Sequence, residues 1–412
     1  MSKTPKLRFK EFSGDWEEKK LEEISSKIGD GIHTTPSYID NSEIKFINGN
    51  NIKNHKVVIN ENTKSISKEE YEKYNIKLNN NSILMSINGT IGNVGYYNNE
   101  KVLLGKSVAY ININSSYSNR LFIGSLLETN KVQQKLINEL TGSTIKNLSL
   151  KSIRECKLYL PLKEEQEKIA SFFSLIDDKI YLQDEKLKML KDYKNGMMQK
   201  IFSRELRFKD DEGRDYPEWE EKKLSKLGET YTGLSGKTKD NFGIGEGKYV
   251  IYKNVFANTI AKEEEVELVE INSGENQNNV IKGDLLFTTS SETPCEVGMV
   301  SCWNYDSKDL YLNSFCFGYR LFDLENVSPI YLSYLLRSNN YRRKISILAQ
   351  GSTRYNISKN ELMKIKVGIP VIEEQNKIVN LLLNLESKIE KEQEKLDSLN
   401  RYKKGLLQQM FV

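Results

Sequence analysis

The chain has 412 residues, of which 38% are hydrophobic and 29% charged, and its formal net charge is +4 at pH 7. With 22 tyrosines and 15 phenylalanines it holds enough aromatic material for substantial cores, which excludes a wholly disordered protein. At about 100–200 residues per domain, the length indicates several domains.

The composition predicts neither a membrane segment nor a metal centre. No run of about 18 apolar residues occurs, and the first residues, MSKTPKLRFKEF, lack the apolar stretch of a secretory signal. Two histidines are too few for most His-based metal chemistry, and the four cysteines form no C-x-x-C pair. We therefore expect a cytoplasmic protein without metal, whose reduced thiols serve as small core residues.

Residues 1–160 predict a globular domain of mixed helix and sheet. Short β-type runs at Ser82–Ile87 and Lys101–Ile113 are separated by turn dipeptides such as Asn88-Gly89. A helical stretch follows at Arg120–Leu140. We interpret this region as an α+β domain with a β-rich face.

Residues 161–203 predict one long helix. Pro161 keeps the chain from entering the helix earlier, and the glutamates that follow it suit a helix N-terminus. Apolar residues then recur in alternating steps of four and three, which is the heptad pattern of a coiled coil. The predicted core positions are Ile169, Phe173, Ile176, Ile180, Leu187, Leu190 and Met197, interrupted by Gln183 and Lys194.

Residues 204–369 and 370–412 predict the same arrangement again. The β-type runs Gly283–Thr289 and Ser314–Phe322 precede a helical stretch at Pro329–Leu348. A second heptad pattern follows Pro370. Its predicted core positions are Ile378, Leu382, Leu385, Ile389, Leu396, Leu399 and Leu406, interrupted by Glu392 and Lys403.

The two halves carry the same motifs in the same order, so the protein is two copies of one unit of roughly 200 residues. The repeated motifs are WEEKKL at Trp16–Leu21 and Trp219–Leu224, GST at Gly142–Thr144 and Gly351–Thr353, and P-x-x-E-E-Q-x-K-I at Pro161–Ile169 and Pro370–Ile378. LRF precedes each WEEKKL, at Leu7–Phe9 and Leu206–Phe208.

A helix of roughly 57 Å cannot bury its apolar stripe alone. In a tandem repeat closed around a pseudo-twofold axis, the two long helices would pair as an antiparallel coiled coil. The alternative is that each helix packs along its own domain. The polar interruptions suggest a register in which Gln183 faces Lys403 and Lys194 faces Glu392.

Charge is distributed unevenly along the chain. The helices are neutral, residues 1–162 carry a basic excess, residues 203–296 an acidic excess and residues 297–371 a basic excess. The last segment includes Arg337, Arg342, Arg343, Lys344, Arg354, Lys359, Lys364 and Lys366. Such a segment suits a phosphate backbone, whereas the acidic run Glu263–Glu270 does not.

Catalytic motifs are absent from the sequence. GLSGKT at Gly233–Thr238 ends like a phosphate-binding loop, but Tyr231 stands where that loop needs its first glycine. No H-E-x-x-H, G-x-S-x-G or adenine-methylation motif occurs. The glutamate pairs fall on solvated helical surfaces, so no catalytic site is predicted.

Two variable domains, each followed by P-x-x-E-E-Q-x-K-I and a long helix, resemble the specificity subunit of type I restriction-modification systems. The resemblance covers the whole chain, and its motif set occurs twice. GDGIHTTP at Gly29–Pro36 is similar to the first target-recognition domain of that family. The second copy departs from it, with GLSGKTKDNFG and no histidine, so a shared role for His33 is in doubt.

The resemblance implies an α+β fold in which residues 1–160 and 204–369 are α/β target-recognition domains. Each domain would read one half of a bipartite double-stranded DNA site, and the helices at 161–203 and 370–412 would set the gap. Two methyltransferase subunits and the restriction/translocase subunits would be the partners. S-adenosylmethionine, ATP and Mg would belong to those partners, so this chain would be non-catalytic and hold no cofactor.

Two alternatives stay open. One is a coiled-coil assembly scaffold without sequence-specific DNA binding, and the other is an enzyme whose site has no known motif. Co-purification with a methyltransferase distinguishes the specificity subunit from both.

Base reading needs hydrogen-bond donors and acceptors on loops. In the first domain the candidates are His33, Thr34, Thr35, Asn48, Asn50, Asn51, Asn88, Thr90, Ser143, Thr144 and Lys146. In the second they are Lys237, Lys239, Tyr252, Lys253, Asn254, Ser290, Ser291, Ser352, Thr353, Arg354 and Tyr355. Lys146, Arg354 and Tyr355 rank first because they follow the repeated GST motif, which is alternatively a structural turn into the exit strand.

Overall fold

The structure is a computed structural model that describes residues 3–74, 76–140 and 146–412. It divides into two compact units. Unit 1 comprises Met1–Glu185 and Gln393–Val412, and unit 2 comprises Lys186–Glu392. Each unit therefore contains one globular domain together with part of each long helix.

Unit 1 consists of short strands and four short helices beside the first part of a long helix. Its strands are β1 (Glu17–Lys20), β2 (Ser25–Asp30), β3 (Tyr38–Ile39), β4 (Lys45–Ile47), β5 (Ile52–Lys53), β6 (Lys56–Val57), β7 (Ser65–Ile66), β8 (Ser82–Ser86), β9 (Val94–Tyr96), β10 (Val102–Leu104), β11 (Val108–Ile113) and β12 (Lys157–Leu160). Its helices are α1 (Lys68–Tyr74), α2 (Arg120–Leu127), α3 (Asn130–Asn138) and α4 (Leu150–Arg154), followed by the long helix α5 (Lys163–Phe202). Single 3₁₀ turns lie at Leu21–Ile24 and Gly49–Asn51.

Two four-stranded sheets form the globular part of unit 1. One is antiparallel with the strand order β2-β11-β8-β9, and the other has the order β10-β4-β7-β3, in which β10 runs parallel to β4. Every residue of β8 and β11 is buried, as expected for short, continuous apolar runs. β1 pairs separately with β12, so the WEEKKL motif lies next to the strand that leads into α5.

Unit 2 repeats these elements. Its strands are β13 (Glu220–Lys223), β14 (Gly228–Thr232), β15 (Phe242–Val250), β16 (Val266–Val269), β17 (Leu285–Thr288), β18 (Ser290–Ser291), β19 (Val300–Cys302), β20 (Leu310–Leu312), β21 (Cys316–Leu321), β22 (Ala349–Gln350), β23 (Tyr355–Ile357) and β24 (Lys366–Ile369). Its helices are α6 (Leu224–Leu227), α7 (Tyr252–Ala257), α8 (Pro329–Arg337), α9 (Asn339–Ser346), α10 (Lys359–Leu362) and the long helix α11 (Ile372–Met410). Single 3₁₀ turns lie at Lys239–Asn241 and Pro294–Glu296.

The sheet topology of unit 2 matches that of unit 1. The order β14-β21-β17-β19 corresponds to β2-β11-β8-β9, and β15 runs parallel to β20 as β4 does to β10. β13 pairs with β24 as β1 does with β12. The tandem α+β repeat predicted from the motifs is confirmed by these shared pairings.

The repeated motifs LRF and E-E-Q meet at the start of each long helix. Arg8 forms two hydrogen bonds with the buried carboxylate of Glu165, at 2.8 and 2.7 Å, and Arg207 binds the buried Glu374 in the same way. Paired guanidinium and carboxylate groups of this geometry are among the stronger ion pairs in proteins. These motifs are therefore structural, and they tie the LRF segment of each copy to the first turn of its long helix.

Within each unit the two long helices run antiparallel. In unit 1 the rings of Phe173 and Phe411 lie 5.7 Å apart, and Asp177 pairs with Lys403 at 2.8 Å. In unit 2 Lys186 pairs with Glu392 at 2.9 Å, and Lys194 pairs with Glu386. Partner numbers rise on one helix as they fall on the other, so the predicted antiparallel coiled coil is confirmed.

The predicted core positions of the long helices are buried or half-buried. The buried ones are Ile169, Phe173, Ile176, Leu187, Ile378, Leu382, Leu396 and Leu406, and the half-buried ones are Ile180, Leu190, Met197, Leu385, Ile389 and Leu399. Ile169, Phe173 and Ile176 also belong to the hydrophobic core of the unit 1 domain. The first turns of α5 thus pack along their own domain as well.

The proposed register of the polar interruptions was wrong. Lys194 pairs with Glu386 instead of Glu392, and Lys403 pairs with Asp177. A lysine has a long stem that lets its ammonium leave the apolar seam and reach a carboxylate beside it. The heptad positions of Lys194 and Lys403 therefore did not identify the carboxylates with which they pair.

No helix among the described residues is long and apolar enough to cross a lipid bilayer.

Candidate functional site

A short loop at one end of the antiparallel sheet organises the surrounding loops of unit 1. This loop, Gly105–Ser107, connects β10 to β11, and we call it central loop 1. The amide of Gly105 donates to the carbonyl of Ile47 at 2.8 Å, and the amide of Ile87 donates to the carbonyl of Ser107 at 2.9 Å. The segments that follow Ile47 and Ile87 therefore lie beside central loop 1.

Two further segments complete this cluster. The amide of Ile32 donates to the carbonyl of Leu104 at 2.8 Å, and the amide of Leu148 donates to the carbonyl of Ile87 at 2.9 Å. An isolated β-bridge joins Asn88 to Asn147. Four segments distant in sequence are thus brought to one end of the sheet.

Unit 2 has the same hydrogen bonds around Asn313–Phe315, which connects β20 to β21 and which we call central loop 2. The matching donor and acceptor pairs are Leu234 to Leu312 at 2.7 Å, Asn313 to Val250 at 3.1 Å, Thr289 to Phe315 at 2.8 Å and Ile357 to Thr289 at 3.0 Å. The pairing of Ser290 with Asn356 corresponds to the bridge between Asn88 and Asn147. The backbone frame of the site is therefore repeated.

This frame places most of the sequence-predicted residues near one another. In unit 1 the segments of His33–Thr35, Asn48–Asn51, Asn88–Thr90 and Lys146 adjoin central loop 1 through the bonds above. In unit 2 the segments of Tyr252–Asn254, Ser290–Ser291 and Tyr355 adjoin central loop 2. Ser143 and Thr144 lie outside the described residues.

In unit 1 the exposed members of the predicted set are His33, Thr34, Thr35, Asn50, Thr90 and Lys146. His33 is 71% exposed at its side chain and contacts Asp30 at 2.7 Å, and the hydroxyl of Thr34 lies 3.0 Å from that of Tyr74. These side chains offer an imidazole, hydroxyls, an amide and an ammonium to solvent. They are the groups with which this surface could bind a polar ligand.

Asn48 and Asn51 use their amides inside the fold. The side-chain oxygen of Asn51 accepts from the Asn48 amide at 2.9 Å, and its NH₂ group donates to the carbonyl of Val58 at 3.0 Å. The side-chain oxygen of Asn48 accepts from the Ser107 hydroxyl at 3.0 Å. These contacts cap the 3₁₀ turn Gly49–Asn51, and Asn50 is left as the exposed amide of the three.

In unit 2 the exposed members are Lys239, Lys253, Ser352, Thr353 and Arg354, and Tyr252 and Tyr355 are half-buried. The hydroxyl of Tyr252 donates to the carbonyl of Ser290 at 2.7 Å, so this residue fixes the loop beside it. Ser290 and Ser291 are buried in β18. The exposed groups here are mainly cationic.

Two predicted contacts of unit 2 are directed into the protein. Asn254 is fully buried, and its side chain bonds the carbonyls of Lys262 and Glu265 and the amide of Lys262. The side chain of Lys237 is only 4% exposed, and its hydrogen bond to Glu275 lowers the pKa of that carboxyl to about 2. Both side chains point into the protein and stabilise loops there, contrary to the prediction that they face a ligand.

The basic segment 297–371 is partly structural as well. Arg337 donates to the carbonyls of four residues, and Arg342 donates to those of three others. Burial lowers the pKa of both guanidinium groups to about 10. The basic charge of this segment had suggested ligand binding, but these two arginines bind backbone carbonyls of their own unit instead.

Sequence reasoning missed the tips of the central loops. Lys106 and Phe315 are exposed there, Phe315 by 53%. The guanidinium carbon of Arg354 lies 5.4 Å from the centre of the Phe315 ring. In the sequence both residues fall inside predicted β-type runs, Lys101–Ile113 and Ser314–Phe322, and the available signal for a turn there was Gly105 beside Lys106.

The described part of the chain contains no group of three or more His, Cys, Asp or Glu placed to hold a metal ion. The four cysteines are unpaired thiols, of which Cys295 is exposed and the others buried. What the arrangement offers is a set of hydrogen-bond donors, acceptors and cations on a rigid frame.

A matched pair of variants separates structural from surface roles in unit 2. Asn254→Ala should lower the free energy of unfolding by about 2–4 kcal/mol because buried backbone groups lose their partners. Its exposed neighbour gives the control, since Lys253→Ala should change stability by less than about 0.5 kcal/mol. Urea denaturation measures both, and equal losses would contradict the assignment.

The chain matches the family described as "Type I restriction modification DNA specificity domain" at residues 13–192 and 216–401. It is 25% identical over 287 residues to the type I restriction enzyme MjaVIII specificity subunit of Methanocaldococcus jannaschii, an alignment that covers 67% of this chain and 66% of that relative.

Two solved structures have a similar fold. A type I restriction-modification system S subunit from M. genitalium gives a TM-score of 0.58 at 14% identity and 99% coverage of both chains. A chain from a structure described as the basis of complex assembly and conformational transition of the type I R-M system gives a TM-score of 0.56 at 15% identity, with 95% of this chain and 96% of that chain covered. At these identities the likeness concerns the fold.

Proposed function

Because this chain belongs to the type I restriction-modification DNA specificity family, we propose that it is the sequence-reading subunit of such a system. Each unit reads one half of a bipartite double-stranded DNA site through the loops around its central loop. The paired parts of α5 and α11 keep the two half-sites at a fixed distance. The chain acts in the cytoplasm and catalyses no reaction itself.

The observation that carries this proposal is the repetition of one backbone frame with different exposed side chains. The hydrogen bonds around the two central loops are equivalent. The exposed groups differ, with His33, Asn50 and Lys106 in unit 1 and Lys253, Phe315 and Arg354 in unit 2. A constant frame with variable donors and acceptors suits two readers of different base sequences.

Exposed apolar residues on α5 support binding of further subunits. Leu175 and Leu182 are 70% and 66% exposed in unit 1, and Met189 is 66% exposed in unit 2. Exposed apolar side chains of this size are typical of protein–protein contacts when they group on one element. We propose that two methyltransferase subunits dock on the helices, that restriction/translocase subunits join them, and that S-adenosylmethionine, ATP and Mg bind to those partners.

The test is to purify the chain with its methyltransferase and map methylated adenines in DNA by sequencing. We expect one split recognition sequence with two defined parts and a constant gap. Methylation that requires this chain but follows no split sequence would favour an assembly scaffold.

A second experiment assigns a half-site to unit 1. The double variant Asn50→Ala, Lys106→Ala should weaken binding to duplex DNA by about tenfold, since each exposed group supplies roughly 0.5–1.5 kcal/mol. Base discrimination should change in one half of the site and persist in the other. Lys253→Ala in unit 2 is the matched control, and an equal change in both halves would point to an assembly defect.

A further inference from the structure

Arg354 differs from Arg320, Arg337 and Arg342 of the basic segment. The guanidinium groups of Arg337 and Arg342 donate to backbone carbonyls, and that of Arg320 binds Asp284 at 2.9 and 2.8 Å. Arg354 is exposed, and the described residues hold no hydrogen-bond acceptor for its side chain. Its five N–H donors are therefore free to bind a ligand.

The guanidinium of Arg354 is held in place by an aromatic ring. Its carbon lies 5.4 Å from the centre of the Phe315 ring, within the range of a cation–π contact. The backbone of Phe315 is fixed at both ends, because its amide donates to the Asn313 side chain at 2.9 Å and its carbonyl accepts from Thr289 at 2.8 Å. The ring is thus a firm support, although it is 53% exposed.

The turn that carries Arg354 is also constrained. Gly351 has φ +130°, and a Cβ atom there would lie 2.1 Å from the carbonyl oxygen of Arg354. The strand that follows, β23, pairs with β18 through Tyr355 and Ser291. The backbone of Arg354 is therefore constrained by this turn, and its guanidinium is constrained by the Phe315 ring. Both constraints lower the conformational entropy that Arg354 loses when a ligand binds.

We propose that Phe315 is a positioning residue that holds Arg354 for two parallel hydrogen bonds to a guanine in the half-site read by unit 2. This inference rests on the proposed function. The contact with the Phe315 ring uses none of the guanidinium N–H donors. The planar fork of those donors matches the O6 and N7 acceptors of guanine in the major groove.

Unit 1 has no aromatic residue at the equivalent position. The residue equivalent to Phe315 is Ser107, because its carbonyl accepts from the Ile87 amide as that of Phe315 accepts from Thr289. The hydroxyl of Ser107 donates to the Asn48 side chain. The aromatic support is therefore specific to unit 2, and the guanine contact is expected in one half of the site.

The experiment uses the full chain in its methyltransferase complex, after the recognition sequence has been mapped. Binding is measured at fixed salt to duplexes in which each guanine of the unit 2 half-site is replaced in turn by 7-deazaguanine, which lacks the N7 acceptor. The wild-type complex should lose roughly tenfold in affinity at one position. Arg354→Ala should bind the normal and modified duplexes equally.

Variants of Phe315 test the support itself. Phe315→Leu should reduce the discrimination against 7-deazaguanine about fivefold, whereas Phe315→Tyr and Phe315→Trp should retain it because they keep an aromatic face. The melting temperature of all three should stay near that of the wild type, since the ring is half exposed. Phe315→Leu with wild-type discrimination would overturn the positioning role.

Other outcomes are equally decisive. If Arg354→Ala weakens binding to all sequences alike and lowers the salt dependence, Arg354 contacts a phosphate and the inference is wrong. A unit 2 half-site without any guanine would also overturn it. If the wild-type complex has no split recognition sequence, the proposed function fails as well, which distinguishes the two failures.

Discussion

Phe411→Ala should lower the free energy of unfolding of unit 1 by about 3–5 kcal/mol. The ring of Phe411 is 7% exposed, and its centroid lies 5.3 Å from that of Phe122, 5.7 Å from that of Phe173 and 6.2 Å from that of Trp16. Truncation removes the ring that joins the end of α11 to the domain core and leaves a cavity among three others. Close packing prevents those neighbours from filling it fully.

Amide hydrogen exchange followed by mass spectrometry measures this loss unit by unit. Peptides from β8 and β11 should exchange faster in Phe411→Ala, and peptides from β17 and β21 should be affected less. Phe202→Ala gives the reciprocal case, since Phe202 is 5% exposed and packs against Tyr331 at 5.9 Å in unit 2. Tyr402→Ala on α11 is the control because that ring is 57% exposed. Unchanged exchange in β8 and β11 would refute the role of Phe411.

Patterns that depend on local sequence predicted much of this fold. The heptads of α5 and α11 and the prolines before them lie within single elements, so periodicity and chain stereochemistry identify them. The two copies of P-x-x-E-E-Q-x-K-I likewise identified the repeat. The pairing of Lys403 was not predictable in this way, because Asp177 lies on another helix and flanks the seam.

The candidate site was predicted less completely, for a related reason. Most of the candidate loops that the structure describes adjoin the central loops, but the direction of each side chain depends on contacts distant in sequence. Asn254 and Lys237 look like surface residues in the sequence and are buried in the fold. Phe315 looks like a core residue and is exposed. Lys106 was missed because central loop 1 becomes central only through strand pairing.

His55, which the sequence did not single out, lies in a half-buried charged cluster of unit 1. Its Nε2 atom contacts Glu128 at 2.5 Å and its Nδ1 atom contacts Asp177 at 3.0 Å. Lys403 contacts the same two carboxylates, at 3.1 and 2.8 Å. The cluster joins the β5–β6 turn, the end of α2 and both long helices through half-buried charge pairs.

Burial alone would favour neutral His55, but its hydrogen bonds to Asp177 and Glu128 outweigh burial and raise its pKa from 6.5 to about 9. Since the folded protein binds this proton more tightly than the unfolded chain, the stabilisation is fully present below pH 6.5. It is lost as the pH rises through about 9, and it amounts to about 3 kcal/mol. The pKa values of Glu128 and Asp177 are lowered despite their burial, so their contribution is lost at acidic pH.

We therefore expect His55→Gln to flatten the dependence of stability on pH between 6.5 and 9. Urea denaturation at a series of pH values gives the free energy of unfolding of both proteins, and their difference should shrink as the pH rises, because the imidazolium contributes only while it is protonated. His33→Gln is the matched control, since His33 is 71% exposed and its pair with Asp30 contributes little. A constant difference between wild type and His55→Gln from pH 6 to 9.5 would show that His55 stabilises unit 1 by packing alone, and the charged cluster would then not be the contact that ties both helices to the domain.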